Sequence, residues 1–109
     1  MTYRSGSDHP NWKGDRAGYA ALHSRVRKLR GGPRKCEVCG TTNPAKRYEW
    51  ANLTGNYADP QDYARMCVFH HRMFDRTRRR IADGEPYDAE HARAIFGRFA
   101  PLIEAAVPA

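Results

Sequence analysis

Cys36-Glu-Val-Cys39-Gly40 and Cys67-Val-Phe-His70 decide the fold: two ligand pairs with the same two-residue gap, on either side of residues 41–66. A CxxC followed by glycine has the shape of a zinc knuckle. Two such pairs place four soft or borderline donors around one tetrahedral ion. Zinc suits a Cys3His set, and a closed set of four ligands marks a structural metal rather than a catalytic one. His71 stands next to His70 and competes for the fourth place, but His70 completes the spacing. The 3 cysteines are an odd number and do not suit a disulfide framework. Three reduced cysteines in a small core are the bland alternative.

A chain of 109 residues makes one compact domain with a small core. Such a core benefits from a staple, and in domains of this kind metal binding is folding free energy. Hydrophobic residues make up 40% and the mean hydropathy is −0.84. No apolar run approaches the roughly 20 residues of a membrane helix. The leading residues MTYRSGSDHPNWKGD carry no apolar signal core, so a cytoplasmic location is expected. Neither an integral membrane protein nor a large multi-domain enzyme is expected.

Turn signals divide the rest of the chain. Residues 1–14 read as a polar arm. A helix is predicted over 15–30, capped by Asp15 and stopped by Gly31-Gly32-Pro33, with Tyr19, Leu22, Val26 and Leu29 on one face. Lys46–Leu53 reads as a strand, and Gly55-Asn56 as the turn of a short hairpin. Asp59-Pro60 resembles a cap followed by proline at the start of a short helical turn. A helix over 68–82 carries the second ligand pair in its first turn and ends before Gly84-Glu85-Pro86. The last helix starts at Asp88, turns Ala92, Ile95, Phe96, Phe99, Leu102 and Ile103 to one side, and is kinked or shortened by Pro101. Knuckle, hairpin and ligand-bearing helix in that order make an α+β, zinc-stapled treble-clef or ββα-metal domain. It spans 15–82, with the amphipathic helix of 83–109 packed on it.

The net charge is +7, from 19 Lys+Arg and 12 Asp+Glu, and the sequence pI is about 9.7. A polyanion, most often nucleic acid, is the expected partner. The charge is clustered. Residues 16–47 hold Arg16, Arg25, Arg27, Lys28, Arg30, Arg34, Lys35, Lys46 and Arg47 against Glu37, and residues 65–80 hold Arg65, Arg72, Arg76, Arg78, Arg79 and Arg80 against Asp75. Residues 48–64 and 81–109 are each net acidic. The predicted nucleic-acid contacts are Arg25, Arg27, Lys28 and Arg30 on the first helix and Arg72, Arg76, Arg78, Arg79 and Arg80 on the second. Arginine forks suit phosphate oxygens. Trp12, Tyr48, Trp50 and Tyr57 either stack on bases or pack in the core.

From Asn11 to about Asp75 the chain resembles the HNH endonucleases, especially the small zinc-containing proteins common in bacteriophages. The resemblance rests on NWKGDRAGYAALHSRVRKLRG, CEVCG, YEWANLTGNY and DPQDYARMCVFHHRMFD. It implies a ββα-metal fold whose hairpin and helix hold a catalytic divalent ion against a phosphate in the DNA minor groove. It also implies a bacterial or phage-infected cell. His71 matches the family's metal histidine after the last ligand, and Asp62 falls near the central asparagine that braces the loop. The family's catalytic histidine, however, belongs on the strand Tyr48-Glu49-Trp50-Ala51-Asn52, which contains none. With the acid–histidine pair on Glu49-Trp50 the base becomes tryptophan; slid by two, it becomes Asn52. Neither accepts a proton usefully. His23 is the nearest substitute, ahead of His9 and His91. Glu49 with His71 would hold Mg²⁺ or Mn²⁺ if a catalytic ion is bound.

The expected function is therefore zinc-stabilised binding of nucleic acid, double-stranded DNA foremost, on an HNH-like scaffold with a degenerate active site. One alternative is an active metal-dependent endonuclease or nickase with an atypical site. Another is a phage-type protein-interaction module that meets its partner through residues 83–109.

Overall fold

The computed structural model of the chain describes residues 18–108. The expected arm, the cap at Asp15, His9 and Trp12 lie outside them. The described residues form four α-helices and one two-stranded antiparallel sheet: α1 Tyr19–Arg30, β1 Tyr48–Asn52, β2 Tyr63–Cys67, α2 Val68–Ala82, α3 Ala89–Phe96 and α4 Ala100–Glu104. The α+β class follows the sequence reading. Among the described residues no helix is long and apolar enough to cross a membrane.

Strand alternation puts a different core on each face of the sheet. The register pairs Tyr48 with Cys67, Trp50 with Arg65 and Asn52 with Tyr63. Trp50 and Tyr63 point to one side, where they bury Val26 of α1. Ala51, Ala64 and Met66 point to the other, against Phe74 and Ile81 of α2 and Phe96, Phe99 and Ile103 from the C-terminal segment. The sheet is thus the middle of three layers, too narrow to be stable without cover on both sides.

The stripe predicted on α1 outlasts the surface beneath it. Leu22 and Val26 are buried, whereas Leu29 is 65% exposed. Beyond Val26 it is Arg30 that turns inward, its guanidinium 4.5 Å from the Trp50 ring centre and donating to the carbonyls of Pro60 and Tyr63 at 3.2 and 2.8 Å. A cation on an indole face satisfies both the arginine and the end of the sheet.

The hairpin has a longer loop than Gly55-Asn56 alone suggests, and residues 59–62 are not helical. The Asp59 side chain accepts from Gln61 N–H at 2.9 Å, and Asp62 N–H closes a turn on the Asp59 carbonyl at 3.0 Å. An aspartate that caps a helix and one that closes a turn use the same oxygen, and here pairing with β1 claims the next residues for β2. Asp62 then organises the loop. Its Oδ2 accepts from Thr54 Oγ1 at 2.6 Å, from the Thr54 and Asn56 N–H groups at 3.2 Å each, and from Asn52 Nδ2 at 3.3 Å.

The C-terminal helix is broken earlier than expected. Asp88 caps α3, its Oδ1 accepting from His91 N–H at 3.0 Å. The break falls at Gly97, whose φ of 54° and ψ of −123° suit glycine alone, rather than at Pro101. A single 3-10 turn follows, and Pro101 then sits in the first turn of α4, where its missing N–H leaves no hydrogen bond unmade. Ala92, Phe96, Phe99 and Ile103 are buried, so the apolar face of residues 83–109 closes the core. Phe96 meets Phe74 edge to face, with ring centres 5.8 Å apart.

Candidate metal centre and the adjoining cleft

The knuckle is a loop closed on itself. Cys36 N–H donates to the Thr41 carbonyl at 2.9 Å and Gly40 N–H to the Cys36 carbonyl at 2.8 Å. Gly40 sits at φ 76°, which lets the chain reverse with Cys36 and Cys39 on the same side. The knuckle docks on the outer edge of β2. Glu37 N–H donates to the Arg65 carbonyl at 2.7 Å, and Glu37 Oε2 accepts from Arg65 N–H at 2.7 Å.

The second ligand pair straddles the junction of β2 and α2. Cys67 ends the strand and caps the helix, its Sγ accepting from His70 N–H at 3.5 Å. His70, in the first turn, therefore faces back toward the knuckle. The ligand atoms of Cys36, Cys39, Cys67 and His70 all lie within 4.8 Å of one another. His70 Nδ1 is 3.2 Å from Cys67 Sγ and 3.8 Å from Cys36 Sγ. A tetrahedral zinc with ordinary Zn–S and Zn–N bonds has edges of roughly 3.5–3.8 Å, so the four donors fit one ion with small adjustments. The donor set is compatible with a structural zinc. Cys36 and Cys67 are buried and Cys39 is exposed, so the centre has one open side.

The electrostatics suit a cation. Burial opposes a Cys36 thiolate, but N–H groups of Cys39, Cys67 and Val38 outweigh it and lower its pKa. Burial and the neighbouring Cys36 and Cys39 push the Cys67 thiol up. A bound dication reverses that shift, because a coordinating thiol is deprotonated outright. Burial and Lys46 lower the pKa of His70, keeping its ring in the neutral form a metal requires.

His71, the competitor for the fourth place, points the other way. Its Nδ1 lies 2.8 Å from Glu49 Oε1 on β1, and its Nε2 lies 3.1 Å from Asp75 Oδ2, one turn along α2. Burial disfavours the charged ring, yet Asp75 and Glu49 overcome it and raise the His71 pKa. Glu49 and His71 are thus brought together as the sequence suggested. Both ring nitrogens are occupied by carboxylates, however, and this set is not among the clusters of metal-ligand atoms in the described residues. A second cation therefore finds no support here. Asp75 entered the sequence reading as the end of the resembling block, with no ligand or catalytic role, although its four-residue spacing from His71 on a helix signals the contact.

Glu49 and His71 open onto a cleft of about 450 Å³ that His23 and Arg27 of α1, Arg47 and Trp50 also line. Trp50 stands on β1 next to Glu49. It is buried, and its indole N–H donates to the Gly31 carbonyl at 2.8 Å. Asn52, at the end of β1, is buried, its Oδ1 accepting from Gly55 N–H at 2.6 Å. His23 lines the cleft and meets the Tyr63 ring edge-on with ring centres 5.4 Å apart. His91 is exposed on α3, away from this cleft.

The basic residues divide into two groups. Arg30 is taken up by Trp50 and the loop carbonyls, Arg78 by the Asn52 and Leu53 carbonyls and the Phe74 ring, and Arg80 by an ion pair with Glu85. Arg25, Arg27 and Lys28 on α1 and Arg72, Arg76 and Arg79 on α2 are exposed, and none is ion-paired among the described residues. Trp50 packs rather than stacks, Tyr48 is half-buried, and Tyr57 is 40% exposed. Comparison with protein-family models, with curated proteins and with solved structures gives no match.

Proposed function

We propose that this chain is a zinc-stapled nucleic-acid-binding protein, with double-stranded DNA its foremost partner, on a ββα-metal scaffold of the HNH endonuclease kind whose catalytic position is degenerate. The observation that carries the reading is the set of exposed cations on α1 and α2 that have no ion-pair partner among the described residues. A folded surface that leaves arginines unpaired on two helices flanking one cleft is suited to phosphates. The scaffold assignment is supported by the order of knuckle, hairpin and ligand-bearing helix. It is also supported by Asp62, which braces the hairpin loop where the family uses asparagine. Degeneracy is supported by Trp50 and Asn52, both buried and hydrogen-bonded in structural roles.

Binding of a fluorescein-labelled duplex at a series of salt concentrations tests the reading. Log affinity falls linearly with log salt, and replacing Arg25, Arg27 and Lys28 together by Ala flattens the slope by about 0.9 for each phosphate no longer neutralised. Affinity that does not change between low and moderate salt contradicts it.

A second reading, a nuclease, is motivated by the cleft that gathers Glu49, His71 and His23 beside Arg27 and Arg47, and it requires a metal ion to displace a carboxylate from His71. Plasmid nicking that needs Mg²⁺ or Mn²⁺ and disappears in His71→Ala establishes that reading. No nicking with any divalent ion removes it.

A further inference from the structure

Phe69 has no place in either core. It lies in the first turn of α2 and is 65% exposed, although an aromatic ring is costly to leave in water. Its ring meets His70 edge to face, with ring centres 5.1 Å apart and planes at 87°, which sets its orientation against the metal centre. Around it runs a groove of about 430 Å³ lined by Lys46, Arg47, Cys67, Val68, Phe69 and Arg72. Three of the six lining residues are cations, all exposed, and none is a carboxylate. An exposed ring set among cations is how proteins hold single-stranded nucleic acid: the ring stacks on a base while the cations follow the backbone. Arg47 also lines the cleft that holds Glu49 and His71, so a backbone lying in that cleft continues across Arg47 to Phe69.

We infer that Phe69 is a stacking platform for one unpaired base of a nucleic-acid strand, with Lys46, Arg47 and Arg72 holding the adjacent phosphates. The inference rests on the nucleic-acid reading above and adds to it a place for one unpaired base. A protein partner would use the same ring as an apolar contact, and the choice of substitutions separates the two.

The experiment measures anisotropy of a labelled single strand and of a blunt duplex of equal length with the full chain, wild type and variants. Phe69→Ala is expected to weaken single-strand binding by about 5-fold to about 150-fold, the range for losing one base–aromatic stack. Duplex binding should stay within about 2-fold, since blunt ends offer no unpaired base. Phe69→Trp and Phe69→Tyr should retain wild-type affinity, and Phe69→Leu should fall with alanine. Phe69→Ala should leave the salt slope unchanged, whereas replacing Lys46, Arg47 and Arg72 by Ala should flatten the single-strand slope by about 0.7 for each phosphate released. Unchanged melting and metal content show that the exposed position has not disturbed the fold. Wild-type affinity in Phe69→Ala overturns the inference and leaves the binding reading intact. Rescue by Phe69→Leu also overturns it, because an apolar side chain without a ring then suffices. Failure of the wild-type chain to bind either strand overturns the nucleic-acid reading itself.

Discussion

Replacing Glu37 by Gln tests how the knuckle is tied to the rest of the domain. The Glu37 carboxylate links three parts of the chain. One oxygen accepts from Arg65 N–H and Nε on β2 at 2.7 and 3.2 Å, and the other from Arg98 Nη2 between α3 and α4 at 2.7 Å. Its side chain is 13% exposed, against 37% for Arg65 and 69% for Arg98. The Arg98 contact, largely in water, contributes about 0–1 kcal/mol. The contacts with Arg65 are shielded, and a hydrogen bond to a charged group is worth about 1.5–3 kcal/mol. Glutamine keeps the shape but turns an N–H₂ toward one of the two arginines. The expected loss is about 2 kcal/mol, or about 10 °C in melting temperature for a domain of this size. Arg98→Ala should cost less than half of that.

The pH dependence adds a second readout. Burial opposes the charge on Glu37, but the Arg65 N–H and guanidinium, with Arg98, hold its pKa below the usual value. The group is thus more acidic folded than unfolded. Its contribution is complete above the unfolded value and is lost as pH falls toward the folded one. The gap in stability between wild type and Glu37→Gln should therefore be widest at neutral pH and close on the acid side of the ordinary carboxylate range. Thermal melts followed by circular dichroism, from pH 7 to pH 3, measure both effects. Melting within about 2 °C of wild type at pH 7, or a gap that widens on acidification, refutes the reasoning.

Other substitutions probe single features. Asp62→Ala removes the acceptor of four donors in the hairpin loop and should cost about 2–3 kcal/mol by urea denaturation, with Asp62→Asn recovering part of it. Arg30→Ala and Arg27→Ala should behave in opposite ways. The first lowers stability by about 1–2 kcal/mol and leaves the salt dependence of DNA binding alone; the second changes the salt slope and not the melt. Titrating the metal-free chain with zinc at pH 7 should release protons, because the thiols must ionise to coordinate. Uptake with no proton release contradicts the proposed ligand set.

Much of the fold was legible because its signals were local. The gaps in Cys36–Cys39 and Cys67–His70 marked the knuckle and the start of the ligand-bearing helix, but not the strand that precedes it. The Val68–Ala82 helix and the Asp88 cap were read from periodicity and capping chemistry, and both stand. The misreadings came from tertiary context. Asp59-Pro60 carries a signal shared by helix caps and turns, and only pairing with β1 decides between them. Leu29 obeys the helical period but is exposed, because at the end of α1 it is Arg30 that meets the sheet. Gly97 breaks the last helix because the chain must fold Phe99 and Ile103 back onto the sheet, a demand that no local rule states. In the site, the grouping of Glu49 with His71 was legible through resemblance. The His71–Asp75 contact was signalled by their spacing on the helix, whereas the internal use of Arg30 and Arg78 required coordinates. A charge census cannot tell an arginine on a carbonyl from one facing water.

The most direct test of the zinc-stapled scaffold is metal content measured together with folding. Native mass spectrometry of the purified chain should show one zinc per molecule. That zinc should be lost in Cys36→Ser and in Cys67→Ser but kept in His71→Ala. Chelation should abolish the cooperative melt, and added zinc should restore it. A chain that carries no zinc, yet melts at the same temperature with and without chelator, contradicts the claim.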